Sequence, residues 1–204
     1  MAVNPESALD LLPPDLRASA SGLQLDAGQR LFCIGTRPRR MFFVLSGELH
    51  LVRASAAGGE TVLQRVRQGF VAEASLEASR YHCDAVAAAT SELLSLPLAE
   101  FRQALEGVPA FGRAWASHLA REVRRLRSQC ERLSLKGAAA RILHYLETEG
   151  RDGCVTLTQS RKAWAAELGL SHEALYRTLA QLERDGRVVI DGPALSLRLQ
   201  APRG

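Results

Sequence analysis

Between residues 22 and 97 the apolar positions come in short runs broken by turn-forming residues. RLFCIG, MFFVLSGELHLVRA, ETVLQRVRQGFVAEA and YHCDAVAAATSELLSLP are rich in Val, Leu and Phe, with TRPRR, SGE and AAGGE as punctuation. Alternation of apolar and polar residues is clearest in Glu48–Arg53 and Val62–Arg67. Closely spaced short strands of this kind predict an antiparallel barrel or sandwich. Ala56-Ala57-Gly58-Gly59-Glu60 reads as a hairpin turn, glycine supplying the positive φ.

From Leu98 the period changes to that of a helix. LAEFRQALEGV forms one short helix, and Pro109 opens the next, because proline suits the first helical turn. This long helix runs to about Ser134. Leu119, Val123, Leu126, Cys130 and Leu133 recur at spacings of 4, 3, 4 and 3, which is the seam of a coiled coil. The other faces carry Arg121, Glu122, Arg124, Arg125, Arg127, Glu131 and Arg132. A seam this narrow predicts pairing with a second copy rather than packing on the chain's own sheet. KGAAARILHYLETEG, residues 136–150, is a further amphipathic helix with Ile142, Leu143 and Leu146 inward and Gly150 at its end.

The most specific pattern follows, in SRKAWAAELGLSHEALYRTLAQLERDGRVVI. Ser160 caps a first helix and Ser171 a second. Gly169 permits the tight turn between them, and Leu170 plugs the gap. Trp164, Ala165 and Leu168 form the buried side of the first helix; Leu175, Leu179 and Leu182 that of the second. His172, Glu173, Tyr176 and Arg177 remain on the N-terminal and outward surface. A helix-turn-helix reads DNA with that part of its second helix. Arg177 suits a bidentate bond to guanine and Glu173 an acceptor for cytosine N4. Arg161, Lys162 and Arg184 are expected at phosphates. The strands Arg187–Ile190 and Leu195–Arg198, joined through Asp191-Gly192-Pro193, form a wing.

Charge sharpens this picture. Residues 1–107 hold 10 Lys+Arg against 12 Asp+Glu, whereas residues 108–204 hold 16 against 10. The formal +4 is thus an acidic front and a basic back, and the basic part points to nucleic acid. No run of apolar residues is long enough to span a membrane. The N-terminus MAVNPESALDLLPPD lacks the basic and apolar regions of a secretory signal. Four scattered cysteines fit a reducing cytoplasm rather than a disulfide scaffold.

The order and motifs resemble the cyclic-AMP receptor/FNR (Crp/Fnr) family of bacterial transcription regulators over roughly residues 22–200. LFCIGTRPRRMFFVLSGELHLVR is similar to the first barrel strands, with Gly35 and Ser46-Gly47 at matching places. RQGFVAEASL resembles the phosphate-binding cassette, and LGLSHEALYRTLAQLERDGRV resembles the recognition helix, whose Glu and Arg four apart are here Glu173 and Arg177. The resemblance implies an α+β chain. Residues 1–107 would form an antiparallel β-roll like a cyclic-nucleotide-binding domain, 108–134 a dimerisation helix, and 135–204 a winged helix-turn-helix. It also implies a homodimer reading an inverted repeat in double-stranded DNA, with RNA polymerase as a partner.

The effector pocket departs from that family. Its Gly-Glu is replaced by Ala72-Glu73, and the Arg-Ser or Arg-Thr pair that holds a cyclic phosphate by His82-Cys83. Arg80 lies two positions away. Leu126 and Arg127 replace polar residues of the dimer helix that meet the purine. A bidentate phosphate clamp is not reproduced, so cyclic AMP is not expected. Residues 1–32 contain no cysteine, so an FNR-type iron–sulfur cluster is not expected either. Cys33 and Cys83 read as small core residues or, with His50, as a thiolate and imidazole set for a soft metal or a redox switch. Cys130 reads as an apolar seam residue, or as an intersubunit disulfide with its mate. His118 and His144 read as surface or packing residues, and Cys154 has no role.

No nucleophile elbow, Walker loop, paired metal histidines or dinucleotide fingerprint is present, so the chain is not read as an enzyme. The alternatives are a cyclic-nucleotide-binding regulatory protein with an altered phosphate pocket, or a small-barrel enzyme with a helical tail.

Overall fold

The structure, a computed structural model, describes residues 12–54, 60–157 and 159–198. The turn expected at Ala56–Glu60 lies outside the described residues except for its last. The chain forms two compact units that meet between Leu119 and Ala120, inside the long helix.

The first unit starts with helix α1 (Pro14–Ala18). Strands β1 (Ser21–Leu25), β2 (Arg30–Phe32), β3 (Arg40–Ala54), β4 (Glu60–Val66) and β5 (Gly69–Val71) follow. A 3-10 turn (Glu73–Ser75) and β6 (Asp84–Pro97) complete the roll, after which come α2 (Leu98–Gly107) and α3 (Pro109–Ser134). The strands form one antiparallel sheet ordered β1-β6-β3-β4, with β2 also on β6 and β5 on β3.

Two clusters explain why Met41–Val44 is apolar without alternation. Phe42 and Val44 join Leu49, Leu51, Val66, Ala85 and Leu93 in one core. Met41 and Phe43 face the other way, toward Phe70, Leu96, Phe101, Phe111 and Trp115. A strand covered on both sides has no polar face to show. Each large side chain so buried contributes ~1.5–3 kcal/mol.

The SGE segment, read in sequence as punctuation, is a bend inside β3. The β3–β6 register shifts on both sides of Ser46 and again after Glu48. Gly47 has φ +94°, and a Cβ there would lie 2.6 Å from Ser91 Cα. The glycine therefore makes a bulge that curls the strand, which is what bulges do in closed sheets.

In the second unit, the end of α3 is followed by α4 (Ala138–Glu149), β7 (Cys154–Thr156), α5 (Arg161–Glu167), α6 (His172–Arg184), β8 (Val188–Asp191) and β9 (Ala194–Leu197). The three strands pair antiparallel in the order β7-β9-β8. Ile142, Leu146, Trp164, Leu168, Leu175, Leu179, Leu182 and Leu195 form their common core. The fold is the expected α+β combination of β-roll and winged helix-turn-helix.

Along α3 the seam is split. Leu119 packs with the second roll core, whereas Val123, Leu126 and Leu133 are 47%, 42% and 44% exposed. Cys130 is exposed and its thiol free. Arg132, expected on a solvated face, is instead only 1% exposed. Its Nη2 donates to Glu149 Oε1 at 2.7 Å and Thr148 Oγ1 at 3.2 Å, and its guanidinium lies 4.7 Å from the Tyr145 ring centre. Partners on α4 make that burial tolerable.

Candidate nucleic-acid interface and sensor site

The reading head is built from two capped helices. Ser160 Oγ accepts from Ala163 N at 3.2 Å and Ser171 Oγ from Ala174 N at 3.1 Å. Between them Gly169 adopts φ +64°, and a Cβ there would meet Arg141 Nη1 at 3.0 Å and Leu133 Cδ2 at 3.1 Å. Leu175, Leu179 and Leu182 turn the apolar stripe of α6 inward. That leaves His172, Glu173, Tyr176 and Arg177 exposed. The His172 and Tyr176 rings meet edge to face, with centroids 4.6 Å apart. No side-chain bond ties Glu173, Arg177 or Lys162 to another described residue. Their polar groups are therefore available to a ligand.

Two of the expected phosphate contacts are otherwise engaged. Arg161 is half-buried; its Nη2 donates to the Gly192 carbonyl of the wing turn at 2.8 Å, and its guanidinium lies 5.6 Å from the Trp164 ring centre. It braces the wing against α5. Arg184 donates to Gln181 Oε1 at 2.7 Å in the last turn of α6. At 1.5 Å per residue, that is about 16 Å along the axis from Glu173.

Arg141 was not singled out by the sequence. Its Nε and Nη2 donate to the Leu135 and Leu133 carbonyls, both at 3.1 Å, and its Nη1 to the Leu168 and Gly169 carbonyls at 3.2 and 3.0 Å. One guanidinium thus fastens the end of α3 to the turn between α5 and α6. An arginine among alanines on a short amphipathic helix gives no such signal, because its partners are backbone carbonyls, two of them more than 25 residues away.

In the roll, the cassette keeps its left-handed bend without glycine. Ala72 has φ +77° and precedes the 3-10 turn. Such a conformation is strained for alanine. Glu73 Oε1 lies 3.2 Å from His118 Nε2, and the His118 ring packs on Phe70 and Trp115. Of the two readings, surface or packing, His118 is therefore a packing residue, and it is tied to the cassette. The 4, 3 spacing of Phe111, Trp115 and His118 carries that signal, since it puts all three on one helical face.

Tyr81 stacks on Phe32 at 3.8 Å and 7°, and burial pushes its hydroxyl up to about 12. His82 is exposed; its carbonyl accepts from Arg53 Nη2 at 2.7 Å. Cys83 is buried in the first core. Burial pushes its thiol up; Arg53 opposes this and Asp84 adds to it. That is the reverse of a reactive cysteine. His50 Nε2 lies 2.6 Å from Glu48 Oε1 and 3.0 Å from Arg65 Nη1. His50 alternates along β3 with the inward Leu49 and Leu51, so its ring is on the opposite face from the core holding Cys83. The set of Cys33, Cys83 and His50 is not brought together. Among the described residues no three metal-binding side chains converge.

Comparison with known proteins settles the family. Residues 23–107 match the family described as the cyclic nucleotide-binding domain. The chain is 30% identical over 169 residues to the cyclic AMP receptor protein of Thermus thermophilus, covering 81% of this chain and 78% of that one. The chain belongs to the Crp/Fnr family of bacterial transcription regulators. A second Crp/Fnr relative, the global nitrogen regulator of Synechocystis, is 25% identical over 192 residues, 88% of this chain and 82% of its own. FixK2 of Bradyrhizobium japonicum shares the fold at a TM-score of 0.66 and 19% identity, over 88% of this chain and 93% of that one. Crp/Fnr proteins are regulators rather than enzymes. No helix among the described residues is long and apolar enough to cross a membrane.

Proposed function

We propose that this Crp/Fnr chain is a homodimeric regulator whose paired reading heads bind an inverted repeat in double-stranded DNA. Its roll, residues 1–107, would set their affinity in response to a signal, through the helix 108–134, with the head in 135–204. The observation that carries this is the capped helix α6, which holds Glu173 and Arg177 exposed and unengaged, one turn apart. The exposed Val123 and Leu126 on one face of α3 support pairing through this helix. RNA polymerase is the partner that a regulator of this family implies.

The Thermus relative is called a cyclic AMP receptor. In this chain the residues that align with the family's phosphate clamp, His82 and Cys83, are an exposed imidazole and a buried thiol beside the buried Tyr81, and the nearby Arg53 guanidinium is bonded to the His82 carbonyl. Cyclic AMP is therefore not proposed as the effector. Calorimetry should give no micromolar binding; such binding, abolished by Glu73→Ala, overturns this point.

The DNA reading is tested by fluorescence anisotropy on an inverted repeat. Arg177→Ala should cost ~1–3 kcal/mol per half-site and relax the preference at one base pair. Arg161→Ala should weaken binding to all sequences alike, because it loosens the wing. If Arg177→Ala keeps wild-type preference between native and base-swapped operators, α6 is not the reader.

A further inference from the structure

Three arginines from separate stretches of the roll unit line one cleft of about 440 Å³. Arg37 comes from the loop between β2 and β3, Arg80 from the segment before β6, and Arg102 from α2. Pro38, Glu77 and Ser79 complete the wall used here. Two of the guanidiniums are fixed in place. Arg102 Nε donates to the Leu76 carbonyl at 3.0 Å, and its Nη2 to the same oxygen. Arg80 Nη1 donates to the Gly35 carbonyl at 2.7 Å. These acceptors are neutral, so the positive charges remain. Glu77, the one carboxylate, stands 3.4 Å from Arg102 Nε with its side chain 80% exposed. Arg37 has no side-chain bond among the described residues.

Three guanidiniums beside one solvated carboxylate leave the cleft with two uncompensated charges. Like charges held together raise the energy of the empty site and lower it when a dianion enters. Guanidiniums fixed at one edge are pre-organised to donate in pairs to an oxyanion from the other. The volume falls within the ~300–1,000 Å³ of small-molecule sites, and its concavity suits a small molecule better than a flat protein surface.

We infer that this cleft binds a small organic dianion, a phosphomonoester or a dicarboxylate, held by Arg37, Arg80 and Arg102 with Ser79 Oγ as a further donor. None of the residues that line the cleft belongs to the core in which Tyr81 stacks on Phe32. The inference is independent of the DNA reading, since no residue of the second unit takes part.

The test uses the full chain, followed by thermal melting and calorimetry at fixed ionic strength. The probes are inorganic phosphate, glycerol 3-phosphate, succinate and a short acidic peptide, with acetate as a monoanion control. At ten times its dissociation constant, the matching dianion should raise the melting temperature of the roll by about 6 °C, and acetate should not. Whether glycerol 3-phosphate or succinate gives the larger shift identifies the class. Arg37→Gln should abolish the shift without altering the circular dichroism spectrum, and so should Arg80→Gln. Arg177→Ala should keep it, which separates the cleft from anion binding at the reading helix. The inference is overturned if no dianion acts at about 10 mM, if Arg37→Gln responds like wild type, or if Arg177→Ala removes the response. It is also overturned, in favour of a protein-docking surface, if only an acidic peptide produces the shift.

Discussion

Glu48 sits on the outer face of the roll among His50, Arg65 and Arg67, with Arg67 Nε at 3.0 Å. Burial pushes its carboxyl up, but the His50 hydrogen bond and the charges of Arg67, His50 and Arg65 outweigh it and hold the carboxyl below the ordinary value of 4.5. A carboxylate with a depressed folded-state pKa stabilises above its unfolded value, and that stability is lost as pH falls through the folded one. Glu48→Gln should therefore unfold at lower denaturant concentration than wild type at pH 7. The gap should close well below pH 4.5. A gap that does not narrow at all as the pH falls below 4.5 would mean that the cluster acts through packing alone. Cys83 illustrates the opposite case at the same scale. Its buried, proton-retaining thiol predicts slow alkylation of the native protein, to be checked with iodoacetamide against the unfolded chain.

At the scale of elements, the helices were the most legible part of the sequence. Pro109 and Ser134 bound α3, and Ser160, Gly169 and Ser171 mark the helix-turn-helix, where the structure has them. Caps and turn glycines act through neighbouring atoms, so a local pattern reports them. The bulge at Gly47 and the Glu73–His118 contact join residues far apart in the chain, and a local pattern carries no trace of such pairings. The exposed stripe on α3 gives the sharpest test. Leu126→Glu would put two like charges face to face in the proposed dimer, at a cost of several kcal/mol. Light scattering should then report a monomer, whereas an unchanged dimer would rule out this seam. The division of the seam also has a consequence. Leu119 is half-buried against the roll core, so Leu119→Ala should lower roll stability by ~0.5–3 kcal/mol while leaving association largely intact.

For the molecule as a whole, the uneven charge and the two units belong together. The basic excess of residues 108–204 gives DNA affinity of any sequence a steep salt dependence. The roll, slightly acidic, adds nothing to it. Within the second unit the Arg141 clamp is the joint whose loss should be felt furthest. Arg141→Ala removes donors to four carbonyls, at a cost of at least ~1.5–3 kcal/mol, the value of one charged hydrogen bond. Calorimetry should show the second unit melting earlier and the roll unchanged, with DNA affinity reduced for every sequence. The same clamp also bears on what conditions can disturb the head. A guanidinium carries a fixed positive charge and no sulfur. Oxidation directed at thiols therefore leaves this joint closed. The joint is chemically deaf, so a signal that the proposed regulator answers would enter elsewhere in the chain.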